Sequence, residues 1–65
     1  MTAALDGLPR AIGRPATGAL AAAGYTRLGQ LAGVPRRDLH RLHGVGPKAV
    51  TILQAALEEH GLSLG

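Results

Sequence analysis

The apolar positions of this chain fall into short runs with helical spacing, separated by glycine and proline. The clearest run lies near the C-terminal end, where Val50, Leu53 and Leu57 recur at i, i+3 and i+7. This spacing puts the three side chains on one face of a helix. A proline opens the run and Gly61 follows it, as is typical of the two ends of a helix. The pattern therefore predicts an amphipathic helix over residues 47–60.

Three shorter helices are predicted upstream from the same punctuation. Residues 15–23 are mostly alanine, with a proline in the first turn and Gly24 as the C-terminal cap. Thr26 is suited to cap the N-terminus of a second helix over 27–32, which ends at a glycine. A proline precedes a third helix over 36–42.

These elements predict the architecture of the chain. β-Branched and aromatic residues are too few for a sheet, so we expect an all-α fold, a compact bundle of four to five short helices. Residues 9–65 form its single domain, and residues 1–8, which show little periodicity, form a frayed N-terminus. Leu62 and Leu64 are expected to fold back over the bundle as a hydrophobic clasp. Leucine is the most frequent of the large apolar residues, so we expect a leucine core.

Composition excludes several kinds of protein. The 65 residues include no cysteine, tryptophan or phenylalanine and one tyrosine. Disulfides and thiolate chemistry are therefore excluded, and so is a platform of aromatic rings for stacking single-stranded bases. No apolar run reaches the ~18 residues that a membrane span needs, and the N-terminus lacks the basic and apolar regions of a signal peptide. We expect a cytoplasmic protein.

The net charge of +3 is unevenly distributed along the chain. Residues 51–65 carry Glu58 and Glu59 and no base, whereas residues 1–50 carry every lysine and arginine and two aspartates. This asymmetry favours an anionic partner for one side of the domain. The basic residues are Arg10, Arg14, Arg27, Arg36, Arg37, Arg41 and Lys48.

One segment between the last two predicted helices combines several features of a phosphate-binding turn. Gly44 and Gly46 leave the backbone free of side chains, and Val45 between them is able to fill the space between the two helices. The unpaired N–H groups at the start of the last helix carry the positive end of its dipole and favour an anion. Lys48 stands in the same first turn, where a cation is best tolerated beside a bound anion.

Residues 44–49, Gly-Val-Gly-Pro-Lys-Ala, resemble the hairpin of the helix-hairpin-helix motif, which holds the DNA backbone through the amides of its turn. Residues 25–31 and the ending Gly-Leu-Ser-Leu-Gly at 61–65 are similar to the C-terminal domain of the bacterial RNA polymerase alpha subunit. The similarity extends from about residue 12 to residue 65. It implies a helix-hairpin-helix fold and contact with double-stranded DNA.

The chain departs from that polymerase domain at three positions of the DNA-binding surface. Pro15 stands where the domain has an arginine for the minor groove, Gly18 where it has an asparagine, and Ala49 where it has a serine. Gly46 and Lys48 match the domain. The resemblance therefore implies contact with the DNA backbone and does not extend to minor-groove recognition.

We expect the DNA-binding residues to centre on the turn between the last two helices. Arg14 near the start of the first helix is a further candidate, and Arg37 and Arg41, four apart on one helix face, add positive charge. The alternative for the charged residues is a solvated surface, and the alternative for the two glycines is a tight turn without a ligand. The predicted DNA-binding residues are His43, Gly44, Val45, Gly46, Lys48, Arg14, Arg41 and Arg37.

The function that the sequence predicts is a DNA-binding module that holds the backbone of double-stranded DNA without sequence specificity. Such a cytoplasmic protein would be associated with the nucleoid. The alternative is a transcription-related protein-interaction adaptor, or a self-associating domain. In that case the alanine-rich helix 16–23 and the tail with Leu62 and Leu64 would expose an apolar patch.

An enzymatic function is not expected, because no nucleophile–base pair or cofactor-binding loop is present. Glu58 and Glu59 are adjacent, so their side chains diverge by about 100° around a helix. His40 and His43 have the spacing of a shared helix face, but no third ligand lies near them in the sequence. We therefore expect no metal and no cofactor.

Overall fold

The computed structural model describes residues 7–65 of the chain, which form helices and turns and no β-strand. The longest helix of this part has 12 residues, and none of its helices has the length and apolar character needed to cross a membrane. The elements in chain order are the 3-10 segment η1 (Arg10–Ile12), helix α1 (Gly13–Ala22), the 3-10 segment η2 (Leu28–Leu31), helix α2 (Arg36–His40) and helix α3 (Pro47–Glu58).

The prediction of an all-α fold is confirmed for the described residues, with differences in the number and bounds of the helices. Residues 7–65 contain three α-helices, where the sequence predicts four to five short helices. The predicted helix over 27–32 is the 3-10 segment η2. Helix α1 begins two residues earlier than predicted and ends one residue earlier. Helices α2 and α3 begin as predicted and each end two residues earlier, where turns and bends replace the last predicted helical residues.

The prediction that Thr26 caps the second helix is wrong, because η2 begins one residue later and has Arg27 as its N-cap. The side-chain oxygen of Gln30 accepts hydrogen bonds from the backbone N–H groups of Thr26 at 2.8 Å and Arg27 at 2.9 Å. The Thr26 hydroxyl only donates a long bond of 3.5 Å to the same oxygen. The side chain that caps the start of η2 is therefore that of Gln30, which accepts from the N–H groups of the two residues before the segment.

The two predicted glycine caps are present. Gly24 has a φ of 95° and Gly61 a φ of 73°, a conformation that favours glycine. After each glycine, the backbone N–H of Tyr25 or Leu62 donates to a carbonyl five residues earlier, at 2.8 Å and 2.9 Å respectively. These are Schellman motifs, and both Tyr25 and Leu62 pack against the core. The caps thus turn the chain back toward the bundle.

The core is built mainly from leucine, as the composition predicts. Helix α3 lies at its centre and packs against η1, η2 and α2. The predicted core face of α3 is confirmed, because Val50, Leu53 and Leu57 are 4%, 0% and 0% exposed. The largest fully buried side chains are Leu20, Leu28, Leu31, Leu39, Leu53 and Leu57.

The C-terminal tail folds back over α3, as the sequence predicts. Leu64 is 7% exposed and belongs to the core. Its backbone N–H donates to the side-chain oxygen of Gln54 on α3 at 2.9 Å. Two backbone hydrogen bonds of 2.8 Å also join the tail to residues 33 and 34. The tail therefore closes the bundle over the segment that leads into α2.

The predicted frayed N-terminus is described only at its last two residues. The carbonyl of Gly7 accepts a hydrogen bond of 3.1 Å from the N–H of Leu28, and Leu8 packs against the core. Residues 1–6 lie outside the described residues.

Candidate nucleic-acid interface

The predicted DNA-binding segment lies between α2 and α3 and packs against the start of α1. We call residues 41–46 the interhelical loop. Gly44 in this loop has a φ of 101°, which glycine adopts without strain. A Cβ on Gly44 would lie 2.9 Å from the carbonyl oxygen of Pro15 and 3.6 Å from the Cβ of Ala19. The loop therefore needs glycine here to approach α1, whether or not a ligand binds.

Val45 anchors the interhelical loop in the core. Its side chain is 6% exposed and belongs to the main apolar cluster. Its backbone N–H donates to the carbonyl of Leu42 at 3.1 Å. Val45 thus fills the space between the flanking helices, as the sequence predicts. Among the predicted DNA-binding residues, Val45 is the one that holds the loop in position.

Gly46 differs from Gly44 in its surroundings. Its backbone is extended, with a φ of −99° and a ψ of 179°, which any residue can adopt. Beyond its chain neighbours, no atom of the described residues lies within 4 Å of a Cβ on Gly46. Neither backbone conformation nor packing within residues 7–65 therefore requires a glycine here. The space in front of Gly46 is open.

The start of α3 presents backbone donors to that open space. Gly46 is the N-cap of the helix, and Pro47 is its first residue. The first helical hydrogen bond runs from the N–H of Val50 to the carbonyl of Gly46, at 3.1 Å. The N–H groups of Lys48 and Ala49 have no acceptor within residues 7–65. No side chain of the described residues caps them and the first turn contains no acid, so the positive end of the helix dipole is uncompensated.

Two predicted cations lie in the first turns of α1 and α3. Lys48 is exposed in the first turn of α3. Arg14 is exposed in the first turn of α1 and immediately precedes Pro15, whose carbonyl faces Gly44. Arg14 also lines a shallow surface depression with Arg10, a residue that the predicted site omits. The start of α1 is thus part of the surface around the interhelical loop.

The basic residues on and beside α2 lie on two different faces. Leu39 is fully buried, so side chains two positions away point away from the core, because successive helical residues turn by about 100°. Arg37 and Arg41 occupy those positions and are exposed. Arg36 and His40 instead flank the buried leucine. They line a groove between α2 and α3 together with Pro47, Val50, Thr51 and Gln54.

His43 lies on a different surface from His40. It is exposed and lines a shallow apolar depression with three alanines of the α1 region and with Leu42. His40 lines the groove between α2 and α3. In the described part of the chain, no three histidine, cysteine or acidic side chains are grouped in a way that could hold a metal ion.

The structure therefore brings together the start of α1, the interhelical loop and the start of α3. It places Arg37 and Arg41 on the side of α2 opposite Leu39. The predicted site omits Arg36 and His40, although their i, i+4 spacing is visible in the sequence. The missing information was the direction of the core, which Leu39 sets.

Comparison of the chain with protein-family models, with curated proteins and with solved structures gave no match. Function is therefore inferred from the sequence pattern and from the geometry of this surface.

Proposed function

We propose that this protein is a DNA-binding module of the helix-hairpin-helix type that contacts the phosphate backbone of double-stranded DNA without reading the base sequence. The observation that carries the proposal is the open space in front of Gly46, at the start of α3. Gly44 must be glycine because of its backbone conformation and its contact with Pro15, whereas neither backbone conformation nor packing within residues 7–65 requires glycine at position 46. A ligand that approaches the backbone closely supplies a reason for glycine there.

A phosphate oxygen in front of Gly46 would meet several favourable groups. The N–H groups of Lys48 and Ala49 are free to donate within the described residues, and the helix dipole adds positive potential. Such helix starts bind phosphates in many proteins and make backbone contacts with DNA. The exposed Lys48 ammonium adds a full charge at the same place. Without an anion, this lysine opposes the dipole at a cost of a few tenths of a kcal/mol.

Flanking arginines extend the proposed contact. Arg14 is exposed in the first turn of α1, next in the sequence to Pro15, and would neutralise a further phosphate. Arg37 and Arg41 are exposed on another face of the domain and would add longer-range attraction, which salt screens. With two to three phosphates neutralised, the logarithm of the binding constant falls with the logarithm of salt concentration at a slope of about −2 to −3.

Binding of this kind is weak for a single copy. Nonspecific contacts of this size have dissociation constants of roughly 10⁻⁴ to 10⁻⁵ M at physiological salt. Occupancy of DNA in a cell then requires self-association, a protein partner or high abundance. We propose a cytoplasmic protein associated with the nucleoid.

The same surface favours backbone contact over base recognition. Tyr25 is the single aromatic residue of the sequence, and it is half-buried and packed against the core. Pro15 occupies the position that corresponds to the minor-groove arginine of the polymerase domain which the sequence resembles. Base recognition needs side chains that reach base edges, whereas backbone contact needs amides and cations.

Salt-dependent binding to short duplex DNA tests the proposal. Fluorescence anisotropy of a labelled duplex, repeated at several salt concentrations and with an unrelated sequence, should give equal affinities and a slope of about −2 to −3. Lys48→Glu should lower the affinity while circular dichroism shows a folded helical domain. Arg27→Gln removes an exposed charge outside the predicted DNA-binding residues and serves as the control. Binding that does not respond to salt, or no binding at low salt, would contradict the proposal.

A protein-interaction adaptor is the second candidate, and the apolar depression beside the interhelical loop favours it. Ala19, Ala22, Ala23 and Leu42 line this depression. Leu64, which the adaptor alternative would place in an exposed apolar patch, is instead buried in the core. Two results together would support the adaptor. A protein partner would shift the amide signals of the three alanines, and DNA would leave the Lys48 amide signal unchanged.

A further inference from the structure

We infer that the groove between α2 and α3 binds a second phosphate of the same DNA through Arg36 and His40. This inference rests on the proposed function, because it adds a contact beside the phosphate site at the start of α3. None of the DNA-binding residues predicted from the sequence lines this groove.

The first support is the position of the groove. Arg36 and His40 are four residues apart, so their side chains are neighbours on one face of α2, with Cβ atoms about 5–6 Å apart. Pro47 and Thr51 of α3 form part of the opposite wall. Pro47 is also the first residue of α3 and is bonded to Gly46. The groove thus includes the first residue of α3, which is next in the sequence to the site of the first proposed phosphate.

The second support is the charge of the groove. No carboxylate is among the described residues that line it. Asp38, the nearest acid in the sequence, is two positions from both Arg36 and His40, which places it about 160° away around the helix. Glu58 is a full turn beyond the groove residue Gln54, which donates to its carboxylate at 2.7 Å. The groove therefore has a positive balance.

The third support is that the other polar side chains of the groove already have hydrogen-bond partners within the domain. The Thr51 hydroxyl donates to the carbonyl of Pro47 at 3.0 Å. The side-chain oxygen of Gln54 accepts from the N–H of Leu64, and its amide nitrogen donates to Glu58. These groups are engaged within the domain. Arg36 and His40 are exposed and remain as the donors that the groove offers to a ligand.

The chemistry of the two side chains fits a phosphate. The arginine guanidinium is planar and donates two parallel hydrogen bonds to phosphate oxygens. The histidine imidazole has at least one N–H donor in either protonation state. A DNA phosphate next to the one proposed at Gly46 would accept hydrogen bonds from both side chains and neutralise the positive charge of the groove.

The salt dependence of DNA binding by four single variants tests the inference. Arg36→Gln and His40→Ala alter the groove, Arg37→Gln alters a residue of α2 that points away from the core, and Arg27→Gln alters an exposed arginine outside the predicted DNA-binding residues. Each substitution of an arginine removes one charge, so a purely electrostatic effect of net charge is the same for all three. If Arg36 neutralises a phosphate, Arg36→Gln makes the salt slope less steep by about 0.9. His40→Ala should lower the affinity at low salt, and Arg27→Gln should leave the slope unchanged. Arg37→Gln removes only longer-range attraction and should make the slope less steep by a smaller amount than Arg36→Gln does.

Several results would overturn the inference, and they separate it from the proposed function. If Arg36→Gln and Arg27→Gln have equal affinities and equal slopes, Arg36 does not contact a phosphate and the inference fails. The proposed function still holds in that case, provided that Lys48→Glu weakens binding. A larger change of slope for Arg37→Gln than for Arg36→Gln would move the contact out of the groove to the side of α2 that points away from the core. Full affinity of Lys48→Glu would contradict the proposed function and this inference together. If an oligoglutamate peptide shifts the Arg36 amide signal and DNA leaves it unchanged, the ligand of the groove is an acidic protein partner instead of DNA.

Discussion

Gly44 packs directly against the backbone of Pro15, such that a Cβ on Gly44 would lie 2.9 Å from the Pro15 carbonyl oxygen. This contact joins the interhelical loop to the start of α1. Gly46, two residues later, has nothing within 4 Å of its Cβ position beyond its chain neighbours. The two glycines of one turn therefore have separate physical roles, and substitution by alanine distinguishes them.

Gly44→Ala should destabilise the fold. The alanine would have to adopt a φ near 101° and place its methyl group against the carbonyl of Pro15. Strained backbone of this kind costs about 1–3 kcal/mol, and overpacking adds a similar amount. We expect the free energy of unfolding, measured by urea denaturation, to fall by about 2 kcal/mol or more. A loss below about 0.5 kcal/mol would mean that the loop does not pack on α1 as described.

Gly46→Ala should leave stability nearly unchanged and weaken DNA binding. The extended backbone accepts alanine, and the lower entropy of the unfolded chain stabilises by about 0.4–1 kcal/mol. Alanine is a poorer N-cap than glycine, which offsets this gain. The added methyl group would occupy the space proposed for a phosphate, so anisotropy should show a lower affinity. Wild-type affinity in a folded Gly46→Ala protein would place the phosphate elsewhere.

Lys48→Glu should change stability and DNA binding in opposite directions. A negative charge in the first turn of α3 interacts favourably with the helix dipole, by about 0.3–1 kcal/mol at low ionic strength. The same charge repels phosphate, so affinity for the duplex falls. Urea denaturation at low salt and anisotropy on the same sample measure the two effects. A decrease in both quantities would indicate that Lys48 has a structural role, which the described contacts do not include.

Much of the fold follows from local sequence rules. The core face of α3 is visible because Val50, Leu53 and Leu57 repeat at helical spacing in a long run. The caps at Gly24 and Gly61 are visible because a left-handed residue at a helix end favours glycine. The segment over 27–32 was harder to predict, because a run of this length is compatible with either a 3-10 or an α-helical segment.

Gln30→Ala and Thr26→Ala test the corrected cap of η2. Gln30 accepts two backbone hydrogen bonds at 2.8 Å and 2.9 Å, whereas the Thr26 hydroxyl makes one long contact of 3.5 Å. Loss of a capping acceptor costs about 1 kcal/mol of stability. We expect this loss in thermal or urea unfolding of Gln30→Ala and a change within about 0.5 kcal/mol for Thr26→Ala. The reverse order would restore Thr26 as the cap.

The candidate site is only partly predictable from sequence. The interhelical loop is recognisable because glycine, proline and lysine follow one another at the start of a helix. The different roles of Gly44 and Gly46 are not recognisable from the sequence, because they depend on the approach of Pro15, which is distant in the chain. The choice between the two basic faces of α2 likewise depends on Leu39, whose burial comes from tertiary packing.

The central claim is that the start of α3 holds a DNA phosphate through backbone N–H groups. Amide chemical shifts of the ¹⁵N-labelled chain, followed during titration with a short duplex at low and at high salt, test it most directly. We expect the largest shifts at low salt at Gly46, Lys48 and Ala49, and we expect these shifts to diminish at high salt. Absence of shifts at these three amides, with duplex DNA bound elsewhere or not at all, would contradict this claim.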